Sequence, residues 1–218
     1  MINKCLKKKI IFYCDIKDSF MHEHIRSFTK NFSKKKYLIK YFQTTRKIHK
    51  SEISFFISCK KILSQNDLSK SKLNIVAHPG KLPNDRGSGV VSWNIIKGKK
   101  KIYVTLFEPN NIIDNGKIIF QKYFSLKGHE LNNEIRQKQG QLTFDLVQRI
   151  IINYPRLKKK LQKKGGKILK KRTPADSELD VNETLNNQFN LLRACDNERY
   201  PAFFIKNNVK YFLKIYRN

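Results

Sequence analysis

Apolar residues in this chain gather into short blocks, and the blocks alternate between two periodicities. Ile10-Ile11-Phe12-Tyr13-Cys14, Tyr37 to Gln43, Ile53 to Ser58, Leu73 to His78 and Ile102 to Phe107 are continuous or nearly continuous apolar runs. Runs this short, rich in β-branched and aromatic residues and bounded by polar breakers, read as buried strands. Between the first two, Phe20, His24, Ile25 and Phe28 fall at helical spacing behind Ser19, a helix-capping residue type. A short helix is expected over Asp67 to Lys70 and another around Trp93. The longest is expected from Gly128 to Tyr154, with Leu131, Ile135, Leu142, Phe144, Leu146, Val147 and Ile150 to Ile152 on its apolar side and Pro155 ending it. Strands alternating with helices predict an α/β fold around a mostly parallel sheet, with the Ile53 strand, the most apolar, near its centre.

After Pro155 the pattern changes. Residues 156 to 171 are half lysine, with Gly165-Gly166 in the middle, and their composition predicts a solvated linker. Beyond it come a helix through Leu191-Leu192 and a closing hairpin with Asn207-Asn208 as its tight turn. The expected organisation is therefore a core over 1–155, a lysine-rich linker over 156–171 and a small helix-plus-hairpin extension over 172–218.

Composition sharpens this picture only in places. An apolar fraction of 39%, with 15 Phe and 9 Tyr, is enough for a core. The net charge is +29, from 46 Lys and Arg against 17 Asp and Glu. The lysines are spread over the whole chain, which reads as surface composition more than as a dedicated nucleic-acid patch; the field still favours an anionic substrate such as a phosphorylated one. Cys5, Cys14, Cys59 and Cys195 form no C-x-x-C pair and are expected as free thiols in a reducing cytoplasm. The Ile10 run is too short for a signal core or a membrane span. Neither G-x-G-x-x-G after the first strand nor G-x-x-x-x-G-K-[ST] occurs, which excludes those nucleotide-binding modes, and no spacing suggests a metal site.

Chemistry concentrates between Leu73 and Ile119. An apolar strand delivers His78 into a loop broken by proline and glycine, and an acidic turn, Asp114-Asn115-Gly116, follows the next strand. A histidine and a carboxylate at element ends look like a catalytic pair. In a parallel sheet ligands bind beyond the carboxyl ends of strands, where both His78 and the Ser58 turn are expected.

The residues His78, Leu82, Pro83, Arg86, Gly87, Trp93, Asp114, Gly116 and Ile118 resemble, in order and spacing, the motif H-x-x-x-L-P-x-x-R-G, x-x-P-x-x-W, D-x-G-x-I of the formyltransferases that use 10-formyltetrahydrofolate. Two positions depart from it. Val76 stands where the family carries an asparagine, and Val90 where it carries a proline. Farther on, Arg172-Thr173-Pro174-Ala175-Asp176-Ser177, Leu191-Leu192-Arg193-Ala194 and Pro201-Ala202-Phe203 resemble the formyltransferases that act on nucleotide-linked amino sugars.

The resemblance implies a Rossmann-like formyltransferase core and transfer of a formyl group to the primary amine of a nucleotide-linked amino sugar. It implies 10-formyltetrahydrofolate as donor and His78 and Asp114 as catalytic residues. Asn74, one strand repeat behind Val76, is the candidate for the absent asparagine. The turn Ser58, Cys59, Ile62 and Leu63, with Gly116, is expected to meet the folate, and Arg86, Arg172 and Arg193 are candidate phosphate contacts of the substrate. Trp93 is expected in the core. A second copy of the chain could pair through the final hairpin. The rival readings are formylation of methionyl-tRNA and a non-catalytic RNA-binding protein on the same scaffold.

Overall fold

The computed structural model describes residues 7–32, 36–166 and 168–218; Cys5 lies outside them. Six strands form the main sheet: β1 (Lys8–Tyr13), β2 (Tyr37–Phe42), β3 (Ser51–Ile57), β4 (Ser71–His78), β6 (Lys101–Ile112) and β7 (Asn115–Ser125). Their order is β2-β1-β3-β4-β6-β7. The first four run parallel, and β6 and β7 add an antiparallel hairpin beside β4. The Ile53 strand is thus central, as its apolarity predicts.

Strand parity decides what each face carries, because successive side chains point to opposite sides. Phe12, Phe55 and Ile75 are in register across β1, β3 and β4, and Tyr13, Phe56 and Val76 form the next row. The first row lies in the larger core with Phe144, Val147, Ile150 and Ile151 of α4 (Asn132–Asn153) and with Met21 and Ile25 of α1 (Met21–Asn31). The Phe12 and Phe55 rings stack at 5.0 Å. Each such fully buried side chain contributes about 1.5–3 kcal/mol. The second row lies on the opposite face with Ile11, Ile48 and Leu63. His78 is two residues beyond Val76, so it shares this second face.

The remaining elements frame that face. A four-residue helix, α2 (Gln65–Leu68), links β3 to β4, capped by Ser64, whose hydroxyl accepts from the Asp67 N–H. The loop after β4 leads through the two-residue β5 (Arg86–Gly87) into α3 (Val90–Ile96). Residues after Pro155 run back over the site. There β8 (Ile168–Leu169) pairs with β5, and the chain then forms α5 (Leu185–Ala194) and the hairpin β9 (Ala202–Lys206) and β10 (Val209–Leu213). Asn207 and Asn208 take φ of 51° and 62°, the left-handed pair a two-residue hairpin turn requires.

Two expectations are corrected here. The lysine-rich stretch is not a free linker. Lys160 exchanges backbone hydrogen bonds of 2.8 Å with Ile118 in both directions, and Leu157 packs against the main core. Trp93 is half-buried outside the core, and its indole N–H donates to the Lys170 carbonyl at 2.9 Å with the Lys170 ammonium over the ring.

Candidate active site

His78 ends β4, and its imidazole is held between two acceptors. Nε2 lies 2.5 Å from the Asp85 carbonyl, and Nδ1 lies 3.4 Å from the Asp114 carboxylate. A neutral imidazole has one N–H and one lone pair. With Nε2–H donating to Asp85, Nδ1 is the ring atom turned toward the carboxylate. Both side chains are mostly buried, His78 more so than Asp114.

The loop from Pro79 to Asp85 is shaped to bring the Asp85 carbonyl to the ring. A Cβ on Gly80 would lie 2.7 Å from that carbonyl oxygen and 2.8 Å from His78 Nε2, so only glycine fits there. The Asp85 carboxylate, itself buried, ties the loop together. It accepts from the Lys81 N–H at 3.1 Å, the Asn94 amide at 3.2 Å and the Lys99 ammonium at 3.2 Å. From β6 and β7, Thr105 donates to the Gly80 carbonyl at 2.6 Å and Gln121 to the Leu82 carbonyl at 3.0 Å.

Asp114 reaches the same point from the tip of the β6–β7 hairpin. Its backbone is left-handed, with φ of 49°, and a Cβ on Gly116 would sit 2.1 Å from the Glu108 carbonyl. The second carboxylate oxygen accepts from the Gly87 N–H at 2.7 Å. Arg86 donates to the Ile113 carbonyl at the same tip, and its Nε is buried without a partner. The candidate phosphate contact therefore ties the hairpin tip to β5.

The other expected contacts divide in two. The turn after β3 is next to His78, since Ile57 and Ala77 are paired neighbours at the carboxyl ends of β3 and β4. Ser58 is left-handed there, with φ of 54°. Cys59 donates to the Tyr13 carbonyl at 3.3 Å, and burial holds its thiol well above the usual range, which suits packing and not reactivity. Leu63 is buried in the second core and Ile62 is exposed. Among the described residues, no backbone hydrogen bond uses the peptide groups of Ile62 and Leu63.

Asn74, Arg172 and Arg193 are placed elsewhere, and the expectations for them are corrected. Asn74 donates to the Leu68 carbonyl at the end of α2 at 2.7 Å, while its amide oxygen is buried without a partner. Arg193 is 2% exposed and donates to the Glu130 carbonyl at 3.2 Å and to Asn190 at 2.9 Å. Arg172 donates to the Ala194 and Asp176 carbonyls and to Ser177. The Arg172 guanidinium binds within the carboxyl-terminal elements, and that of Arg193 ties α5 to the Glu130 carbonyl ahead of α4.

Asp85, Thr105 and Gln121 hold the loop at His78 yet carry no motif signal. Thr105 could have been noticed as a polar residue inside an otherwise apolar strand.

The formyl transferase family model matches residues 17–149, which include His78, Asp85 and Asp114. The chain belongs to the formyl transferase family. Its sequence is 28% identical over 193 residues to the bifunctional polymyxin resistance protein ArnA of Wigglesworthia glossinidia brevipalpis, an alignment covering 86% of this chain and 28% of that one. The chain thus spans little more than a quarter of that relative. Among solved structures, methionyl-tRNA formyltransferase from Clostridium thermocellum superposes with a TM-score of 0.79 at 19% identity, over 93% of this chain and 90% of that one. A 4-N formyltransferase from Francisella tularensis gives 0.77 at 20% identity, over 95% and 97%. HypX from Aquifex aeolicus in complex with tetrahydrofolic acid gives 0.77 at 18% identity, over 94% of this chain and 37% of that one. These likenesses bear out the expected α/β formyltransferase fold with its carboxyl-terminal hairpin.

Proposed function

We propose that this chain transfers the formyl group of 10-formyltetrahydrofolate to the primary amine of a nucleotide-linked amino sugar. The observation that carries the reading is the approach of the Asp114 carboxylate to the His78 imidazole at the carboxyl end of β4. The acceptor half is supported by the carboxyl-terminal elements and by the 4-N formyltransferase, which this chain matches over nearly the full length of both.

The donor supplies an activated formyl carbon, which the amine nitrogen attacks. A C–N bond forms, the bond from that carbon to folate N10 breaks, the amine loses a proton and N10 gains one. Asp114 is the more accessible of the pair and takes the proton from the amine. His78, whose Nδ1 is turned to Asp114, receives that proton and, as the imidazolium formed during the reaction, stabilises the negative charge on the formyl oxygen before passing the proton to the leaving nitrogen. Asp85, through its carbonyl, fixes the ring plane. The free peptide groups at Ile62 and Leu63 orient the pterin. Val76 offers no donor to the formyl oxygen, which leaves that task to His78 and backbone N–H groups.

A methionyl-tRNA acceptor is the second reading, favoured by the net charge of +29 and the Clostridium thermocellum neighbour. Incubation with 10-formyltetrahydrofolate and either a panel of nucleotide-linked amino sugars or charged initiator tRNA, followed by mass spectrometry, tests both. A formylated sugar supports the proposal. Formylation of the tRNA alone replaces it with the second reading.

A further inference from the structure

The stretch expected to be a linker is fastened to the reaction site at several points. Lys160 is bridged to Ile118 on β7, which sets Gln162 beside the tip of the β6–β7 hairpin. The Gln162 amide nitrogen donates to the Asp114 carbonyl at 3.1 Å and to the Gly116 carbonyl at 3.0 Å. Both of its protons are thereby spent on the two carbonyls flanking Asn115. Gly166 comes next and lies so close to the Pro83 backbone that a Cβ would sit 1.8 Å from its carbonyl oxygen. Ile168 and Leu169 then pair with Arg86 and Gly87, and a Cβ on Gly87 would sit 2.4 Å from the Leu169 carbonyl.

We propose that Gln162 is a positioning residue for Asp114, and that it acts with Ile168 and Leu169 as a strap setting the carboxylate against His78. The proposal rests on the reading of His78 and Asp114 as the catalytic pair. The strap holds Asp114 at two independent points. Gln162 fixes the backbone of the left-handed Asp114. Leu169 fixes Gly87, whose N–H holds the carboxylate itself at 2.7 Å. Amide orientation at Gln162 is settled by its partners, since the flipped amide would turn its oxygen onto two carbonyl oxygens. The amide oxygen is buried without a partner, so the donors alone account for how the side chain sits. The reacting groups of an enzyme tolerate little drift: a displacement of about 1 Å can cost about 10²-fold in rate. A strap that fixes a hairpin tip against a strand end is a device for preventing such drift.

The test replaces Gln162 in the full chain with Met, which keeps the length and loses both donors. Gln162→Asn, one methylene shorter, serves where the Met protein does not fold. Lys163→Ala, exposed beside Gln162 and outside the contacts that hold the strap, is the control, and His78→Ala and Asp114→Asn are the references. Two readouts are taken. One is the formyl-transfer rate, resolved into kcat and KM for the folate. The other is the ¹⁵N chemical shifts of the His78 ring at neutral pH, in protein whose backbone fingerprint is unchanged. The expected result is a kcat lowered about 10- to 100-fold with folate KM within about twofold, and His78 shifts moved toward those of Asp114→Asn. Lys163→Ala should match the parent in both. An unchanged kcat and unchanged His78 shifts in Gln162→Met, with His78→Ala inactive, would overturn the positioning role while leaving the catalytic pair standing. Full activity in His78→Ala would overturn the pair and the proposal with it.

Discussion

Val76 and His78 share one face of β4, and the Val76 methyls pack beside Tyr13, Phe56 and Leu63 two residues behind the imidazole. An apolar side chain thus occupies the position from which the family's asparagine would address the formyl oxygen. If His78 and backbone groups carry that charge alone, Val76→Asn should raise kcat. One oxyanion donor is worth about 10²–10³ in rate elsewhere, so a gain of about tenfold or more is expected from an imperfectly placed one. The same change should lower stability by about 1–3 kcal/mol, because an amide enters an apolar cluster. Val76→Ala is the comparison and should not gain activity. Steady-state kinetics and denaturant melts on the three proteins read both effects.

Arg193 separates a clamp from a substrate contact. Its guanidinium is buried on the Glu130 carbonyl and Asn190. Arg193→Lys keeps the charge and loses the planar fork, so it should cost about 1–3 kcal/mol in a urea melt while leaving the KM for the acceptor within about twofold. A large rise in acceptor KM with unchanged stability would return Arg193 to the substrate.

Glu130 gives the chain an acid-sensitive joint. Burial pushes its pKa up, but the Lys138 ammonium and the N–H groups of Lys127 and Gly128 outweigh this and hold it down at about 2. The folded carboxyl therefore binds its proton more weakly than the unfolded one, whose pKa is about 4.3. Its stabilising contribution is present above the unfolded value and is lost as pH falls toward about 2. Glu130→Gln should flatten that part of the stability curve and lower stability at neutral pH by about 1.5–3 kcal/mol. Urea melts at stepped pH values test this, and an unchanged acid limb would show that other carboxylates set it.

Gly87 is where the strap and the catalytic loop meet. With φ of 96° and the Leu169 carbonyl in the way of any Cβ, Gly87→Ala has to move one strand or the other. A cost of about 1–3 kcal/mol is expected, together with a loss of activity, since the Gly87 N–H holds Asp114. Thermal melts and the transfer assay measure the two losses, and a fully active, equally stable variant would show that β5 and β8 adjust freely.

Residues that mark the ends of regular elements were legible in the sequence. His78 closes an apolar run and Asp114 opens an acidic turn, and the central place of the Ile53 strand followed from its apolarity. What could not be read was the path of irregular backbone. Lysines between Arg156 and Lys171 look like a linker because side-chain composition hides what the glycines do. Gly166 and Gly87 permit approaches no other residue allows, and a two-residue strand leaves no periodic trace. Residue type similarly marked Arg172 and Arg193 as cations but said nothing of the carbonyls that surround them. Asp85 acts at His78 through its peptide oxygen, a contribution that leaves no mark on side-chain identity.

The most direct measurement follows release of tetrahydrofolate from 10-formyltetrahydrofolate in the presence of an amino-sugar nucleotide, for the parent chain, His78→Ala and Asp114→Asn. Dependence of release on the acceptor, with each variant slowed by about 10²–10⁴-fold while keeping its fold, is the expected result. Variants that release tetrahydrofolate as fast as the parent would contradict the assignment of formyl transfer to the His78–Asp114 pair.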